Sequence, residues 1–373
     1  MKASKIASLP EGPVIRITVN RLPILILVFT LNLSGCSDHT SPGYFLAEYI
    51  RRLSRVTGID IPEPDFAIPK LPPLRQRAYP APDIRIKALE ALDLLKCPPL
   101  SQAVAYRNSS LGKQMLPSQH YFYEKTLLSL IPQCIDSLGQ TDQNREVTAK
   151  LQQILREKQA TFPAIEWNLV FANTEVSKQL NSQGRLLSTN DQANFQGTRE
   201  ALNYLTRLLP HQLVEPPYTS TDLENHLQQV AANRYLGELI YTAALLSQTL
   251  DNAANILQLR LKKGPVCPAA DPAEAERLYN VFRLFYREKI QPYLARVDQQ
   301  GIIIRNDINR LLSLLPAAPQ EEMRRYLSLI TQALNINSPW YQLEQSIKHH
   351  TTIWAEFLDQ CGKAPALQMN QSH

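Results

Sequence analysis

Between Ser220 and Lys263 the residues Leu239, Ala243, Leu246, Leu250, Ala254, Leu257 and Leu261 recur at intervals of four, three, four, four, three and four. That is the repeat of one face of an α-helix, whereas a strand would repeat every second residue. The segment predicts one long core helix, and such a stripe must be covered by other helices. The same period predicts helices over 84–96, 98–107, 118–138 with a break at Pro132, 142–160, 163–180 and 190–209. Asp271 and Pro272 offer a cap and a first-turn proline for another helix through Tyr279, Phe282, Phe285, Tyr286 and Ile290, with a kink expected at Pro292. Helices near 302–315, 319–334 and 339–360 complete the pattern. Glycine is scarce, 12 in 373 residues, and strand alternation is confined to Ile302–Ile304. The expected fold class is an all-α multi-helix bundle, with a helical domain over 83–362, a possible sub-boundary near 210–220 and a disordered tail over 363–373.

Ahead of this body Lys2, Lys5, Arg16 and Arg21 precede the run Leu22–Leu33, which is apolar except for Pro23, Thr30 and Asn32. This is the layout of a charged n-region and an h-region. The run falls well short of the roughly 20 residues a transmembrane helix needs, and it ends in Leu33-Ser34-Gly35-Cys36. Those four residues resemble the lipobox of bacterial lipoproteins. The resemblance implies that residues 1–35 are a signal peptide removed before Cys36, and that the Cys36 thiol receives a diacylglyceryl group. A multiply acylated cysteine anchors firmly, because more than one chain gives stable membrane attachment. With Ser37 in the next position, the resemblance implies an outer-membrane lipoprotein on the periplasmic face.

Residues 1–35 carry four basic side chains against Glu11 alone, so their removal takes the net charge from +5 to +2. No long Lys/Arg run remains, and the mature part lacks the electrostatic footprint of a nucleic-acid binder. A hydrophobic content of 44% suits a folded core and not wholesale disorder. Four further cysteines, Cys97, Cys134, Cys267 and Cys361, suit disulfides in an oxidising compartment. Of the three possible pairings, Cys97 with Cys134 and Cys267 with Cys361 is favoured, since each pair brackets a contiguous block. Each such loop would contribute roughly 4 kcal/mol by restricting the unfolded chain. None of the four stands in CxxC or CxxH spacing, so no zinc ligand set is read.

Residues 36–57 combine the anchor with a short amphipathic helix opened by Ser41-Pro42. Phe45, Leu46, Tyr49, Ile50, Leu53 and Val56 form its apolar stripe, with Arg51, Arg52 and Arg55 largely off it. Two fates are open, packing onto the domain or lying on anionic headgroups, and packing is favoured. From 58 to 82 there are seven prolines in 25 residues, which forbids helix and makes the segment extended. It is either a polyproline-like spacer or a strap held by Ile59, Ile61, Phe66, Ile68, Leu71 and Leu74, and the apolar side chains favour the strap.

Signatures of known chemistry are sparse. There is no GxxxxGK, GxGxxG, GxSxG or HExxH. His349 and His350, adjacent on a helix, point about 100° apart and cannot share a metal as an i, i+4 pair can; a solvated pair is expected. Glu238 lies in an apolar run where a raised pKa would suit a general acid, yet Arg234 stands four residues away as a salt-bridge partner. Trp167, Trp340 and Trp354 are read as core in preference to ligand-cleft residues. No cofactor and no metal is expected.

The most distinctive stretch is Tyr106-Arg107-Asn108-Ser109-Ser110-Leu111-Gly112-Lys113, followed by Pro117-Ser118-Gln119. With Leu94-Leu95-Lys96-Cys97 upstream and Tyr121-Phe122-Tyr123-Glu124 downstream, residues Leu71 to Cys134 resemble the proteobacterial lipoprotein family known as domain of unknown function 3080. That resemblance supports the lipoprotein reading and implies no activity. Read from the residues, Asn-Ser-Ser suits a helix end and Gly112 a turn with φ above zero, which makes a structural junction the favoured reading. The functional alternative is a polar binding loop offering Arg107, Asn108, Ser109, Ser110 and Lys113 to an anionic or peptide partner. A Ser-Lys nucleophile is a further option with nothing to bring the side chains together.

The expectation is a protein that works by binding, as an accessory or adapter of an envelope assembly. Its partners would be the membrane, through the lipid on Cys36, and an envelope protein. The alternatives are an envelope hydrolase acting on peptidoglycan or lipid, and a carrier of an apolar ligand. Two convergent carboxylates in a cleft would favour the hydrolase.

Overall fold

The computed structural model describes residues 40–60, 66–80, 94–139, 141–181, 184–209, 220–267 and 272–363. Cys36, the expected signal peptide, most of the helix expected over 84–96, the expected sub-boundary over 210–219 and residues 364–373 of the tail lie outside them. The described residues are all-α, as the periodicity requires. In chain order the helices are α1 Pro42–Thr57, α2 Pro98–Asn108, α3 Pro117–Leu138, α4 Arg145–Phe171, α5 Thr174–Leu180, α6 Gln192–Leu208, α7 Ser220–Ala232, α8 Tyr235–Lys262 and α9 Pro272–Val281. A π-helical segment Phe282–Ile290 runs straight into α10 Gln291–Leu312, and α11 Glu321–Thr331 and α12 Pro339–Gln360 follow.

The predicted stripe lies wholly within α8, where Leu239, Ala243, Leu246, Leu250, Ala254 and Leu257 are all buried. The long helix expected from Ser220 to Lys263 is, however, two. Gln179 of α5, fully buried, donates from its amide nitrogen to the Asn233 carbonyl at 2.8 Å and accepts from Leu236 N at 3.1 Å. One side chain thus satisfies the end of α7 and the start of α8, groups that every helix terminus leaves open. Elsewhere the expectation errs in the other direction. Pro132 does not break α3 and Pro163 does not divide α4, because packing along both helices outweighs one lost amide each. The helices expected on either side of Pro292 are also continuous. The Gln291 amide reaches back five residues to the Tyr286 carbonyl, a widened turn just before a proline that has no amide to donate.

α8 packs most extensively against α12, with α1, α10 and α5 also on its surface. α1 is therefore core, not a separate membrane-surface element. Phe45, Leu46, Tyr49 and Leu53 are buried, Ser41 caps the start by accepting from Tyr44 N at 3.4 Å, and Gly58 closes the end at φ 62. Its basic side is partly spent within the helix, since Arg51 and Arg52 both bind the buried Glu48. The proline-rich segment is a strap over its described residues 66–80, though not extended throughout as expected: Leu74–Arg77 form one helical turn directly after Pro73. The Arg77 guanidinium donates to the Phe171 carbonyl at 2.8 Å and to Ser177 Oγ at 2.7 Å. Trp167 Nε1 donates to the Arg77 carbonyl at 2.6 Å, and the Asn168 amide pairs with both backbone groups of Tyr79.

A second, smaller core divides the molecule along α3 and α4. Leu100, Val104, Leu127, Ile131, Leu138 and Leu151 cluster with Cys97 and Cys134, while Tyr121, Phe162, Ile165 and Trp167 of the same two long helices belong to the main core. Cys97 and Cys134 are joined with Cα atoms 5.5 Å apart, and Cys267 and Cys361 with theirs 5.0 Å apart. The first bond staples the small core, which has little apolar area of its own. The second ties the segment before α9 to the end of α12.

Two buried charges bridge α3 and α4. Lys158 Nζ lies 2.7 Å from Glu124 with both side chains under a tenth exposed, and His120 approaches the same carboxylate at 3.5 Å. Burial by itself would raise the Glu124 pKa, but the His120 and Lys158 contacts outweigh it and hold the carboxyl below its usual range. Lys158→Met leaves a buried carboxylate without its main partner and should cost about 3–5 kcal/mol in urea unfolding. Glu166, also on α4 and 1% exposed, is pushed by burial to a pKa of about 8, with Lys125 opposing. A carboxyl raised in the folded state stabilises fully below its unfolded pKa and loses that contribution as pH rises towards 8. Glu166→Gln should therefore melt close to the wild type near pH 5 and progressively above it as the pH approaches 8.

Candidate functional site

Three elements meet at one buried cluster of polar aromatic groups. α1 supplies Tyr49, the π segment Tyr286, and α12 both His350 and Trp354, one turn apart on the same face. Tyr49 Oη lies 2.8 Å from Trp354 Nε1 and 2.8 Å from His350 Nε2. An indole N–H can only donate, and Trp354 Nε1 reaches both the tyrosine oxygen and, at 3.1 Å, His350 Nε2, so Nε2 is an acceptor and the tyrosine hydroxyl donates to it. That places the imidazole proton on Nδ1. His350 is fully buried, and burial, with His349 next to it, lowers its pKa to about 3. It is a neutral hydrogen-bond acceptor at physiological pH, not the solvated residue expected from sequence. Only His349 is partly open, with Nδ1 3.6 Å from Asp251.

Above this cluster a cleft of about 580 Å³ opens between the π segment and α12. Trp354 forms its floor and half-buried Phe282 its wall, with ring centroids 4.8 Å apart. Tyr286 completes the aromatic side, 5.6 Å from Phe282 and 4.3 Å from the His350 ring. Burial raises the Tyr286 pKa, with a hydrogen bond from Thr351 opposing, so the phenol stays neutral. Gln291, Thr351, Glu356 and Asp359 make a polar rim. A π-helical turn sets the spacing of Phe282 and Tyr286, and such turns recur at functional sites. With aromatic walls, few polar groups and a volume in the range of ligand pockets, the arrangement suits recognition. Among the described residues no group of three or more His, Cys, Asp and Glu side chains is placed to hold a metal ion.

The Arg107–Lys113 loop is a junction that bonds to itself. Arg107 Nη1 donates to the Gly112 carbonyl at 2.5 Å, Ser109 Oγ donates to the Tyr106 carbonyl at 2.7 Å, and Ser109 Oγ accepts from Gly112 N at 3.1 Å. Asn108, Ser110 and Lys113 are exposed, and the Lys113 ammonium contacts neither serine hydroxyl. Gly112 is required for a reason other than the one the sequence suggested. It is not among the positive-φ glycines; a Cβ there would lie 2.1 Å from the Tyr106 carbonyl oxygen and 2.7 Å from Arg107 Cα. Glu238 makes its close ion pair with Arg185 at 3.3 Å, while Arg234, the expected partner, only adds a weaker charge interaction. Burial raises its carboxyl pKa, Arg185 lowers it, and Asp191 raises it further. Of the tryptophans, Trp167 and Trp340 are core, donating to the Arg77 carbonyl and to the Ile330 carbonyl at 2.9 Å.

Sequence reasoning placed Tyr49, Phe282 and Tyr286 in helical runs and read Trp354 as core in preference to a ligand cleft, and so missed the site they build. The available signal was the i, i+4 spacing of His350 and Trp354 on the buried face of α12, which puts the imidazole inside. For the loop, Gly112→Ala should cost roughly 1–3 kcal/mol in urea unfolding, since a backbone atom cannot swing away as a side chain can. Lys113→Ala should stay within about 0.5 kcal/mol of the wild type.

No curated protein and no solved structure matches this chain. Residues 46–365 match the family described as protein of unknown function (DUF3080). The match begins inside α1 and runs past the end of α12, taking in both cores, both disulfides and the aromatic cleft. With most of its length covered in this way, the chain belongs to the DUF3080 family.

Proposed function

We propose that this protein is a lipoprotein acylated on Cys36, held on the periplasmic face of the outer membrane, that serves as a non-enzymatic accessory or adapter of an envelope assembly. The observation that carries the reading is the cleft between the π segment and α12. Its aromatic side chains are held before any ligand arrives: Trp354 by Tyr49, Tyr286 by Thr351 and the His350 ring. A site already ordered loses little side-chain entropy on binding. The Cys267–Cys361 bond fixes the end of α12 that carries the rim.

A second reading, an envelope hydrolase, draws on Glu238, whose carboxyl is raised by burial and by Asp191. Such a group can act as a general acid, but it does not line the aromatic cleft.

In-cell photo-crosslinking decides between them. With the crosslinker at Ala355 on the cleft wall, one envelope protein should be captured, and little from Lys113 or from Glu146 in the first turn of α4. Cys36→Ala should abolish palmitate labelling and lower the yield of that adduct. An absence of any adduct at Ala355, together with peptidoglycan or lipid hydrolysis that Glu238→Gln abolishes, would overturn the adapter reading in favour of the enzyme.

A further inference from the structure

The rim of the aromatic cleft is electrostatically one-sided. Glu356 and Asp359 sit three residues apart on α12 and both line the cleft, whereas no basic side chain does. Like charges at this spacing repel. Asp359 also stands in the last turn of a helix, with Glu356 just before it, where the macrodipole is negative and cations are favoured, yet that turn contains no basic residue. The first basic residue beyond it is committed elsewhere: Lys363 pairs with Glu276 and its ammonium lies 4.1 Å from the centre of the Tyr279 ring. Among the described residues neither Glu356 nor Asp359 has an ion-pair partner. Beneath them the cleft is lined by Phe282, Tyr286 and Trp354, of which Phe282 is the most open ring, and the neutral imidazole beside Tyr286 contributes no opposing charge.

We propose that the cleft formed by Phe282, Tyr286, Trp354, Glu356 and Asp359 is a cation site that receives a lysine side chain presented by a protein partner. This rests on the reading of the protein as an adapter that binds through the cleft. Lysine fits for two reasons. Its four-carbon stem can lie along Phe282 and Ala355 while its head reaches the rim. Its compact ammonium, with three donors, suits two separate carboxylates and a threonine hydroxyl better than a planar guanidinium, which seeks one carboxylate in a two-point fork.

The test uses the full-length acylated protein in detergent, with Nα-acetyl-lysine methylamide as the probe, followed by ligand-observed NMR. Saturable binding with Kd on the order of millimolar is expected for so small a fragment. It should weaken with salt and be absent for the isosteric neutral norleucine analogue. Glu356→Gln/Asp359→Asn and, separately, Phe282→Leu should each weaken binding about tenfold. The double variant changes only exposed side chains and, relieved of like-charge repulsion at the helix end, should melt at or slightly above the wild type. Equal binding of the norleucine analogue overturns the cation site. Tighter binding of the arginine analogue overturns the choice of lysine, and tighter binding of tetramethylammonium would point to a quaternary headgroup instead. If Ala355 still crosslinks a partner and the lysine probe neither binds nor competes, this inference fails while the adapter reading stands. If neither occurs, both fail.

Discussion

Helix α8 is apolar around most of its circumference, and covering it dictates the placement of nearly everything else. Its buried set runs from Tyr235 to Leu257 and includes adjacent positions such as Leu239, Ile240, Ala243 and Ala244, which point to different sides. A helix of this kind cannot lie on a surface. It must be enclosed, and the chain encloses it with α12 along its length and with α1, α10 and α5 around it. Small residues at the main contact let the backbones approach: Ser247 and Ser346 face each other at 2.8 Å, and Ser346 passes its second bond to Asp251 at 2.6 Å. A similar economy operates between α10 and α12, where Gly301 leaves room for the Trp340 ring that a Cβ would meet at 2.5 Å.

The site follows from that enclosure. Because α1 and α12 cover neighbouring sides of α8, Tyr49 and His350 meet although 301 residues separate them. Polar groups brought into such an interior need partners there: Trp354 donates to Tyr49 and Tyr49 to His350 Nε2, while His350 Nδ1 is left without one. The network fixes the indole, the indole forms the cleft floor, and the π segment sets Phe282 against it. The binding surface is thus a consequence of how the core closes.

Much of this fold can be read from the sequence. The stripe in α8, the cap of Ser41-Pro42, the strap over 66–80 and the favoured cysteine pairing all follow from local rules. What local rules miss is tertiary compensation. Nothing between Ser220 and Lys263 announces a break, because the residue that stabilises it, Gln179, is more than 50 positions away. Pro132 and Pro163 look like helix ends because propensity counts the lost amide and not the packing on either side. The candidate site was less legible still. His350 was expected in solvent because the adjacent histidines were weighed only as a metal pair, whereas its spacing from Trp354 puts it on the buried face of α12, towards α1. The Arg107–Lys113 motif had the opposite fault, a conspicuous sequence whose side chains are largely spent on shaping its own turn.

The two disulfides stand where the hydrophobic effect is weakest. The small core of α2, α3 and α4 is built from a handful of buried aliphatic side chains, and at about 25 cal/mol per Å² such a cluster does not by itself offset the entropy of ordering three helix segments. Restricting the unfolded chain over a separation of 37 residues supplies the missing stabilisation there. The second bond spans 94 residues and acts at a helix end, which otherwise frays first. α12 carries Glu356 and Asp359 close to its C-terminus against an unfavourable dipole, so this end would be the least stable part of the helix. Cys361, two residues beyond Asp359, holds it to the segment before α9, and the Gln360 side chain adds a bond to Val266 N at 3.3 Å. A covalent link at that point allows the rim to keep two unpaired carboxylates in place, a charge arrangement that is costly to the free protein and useful only when a cation binds.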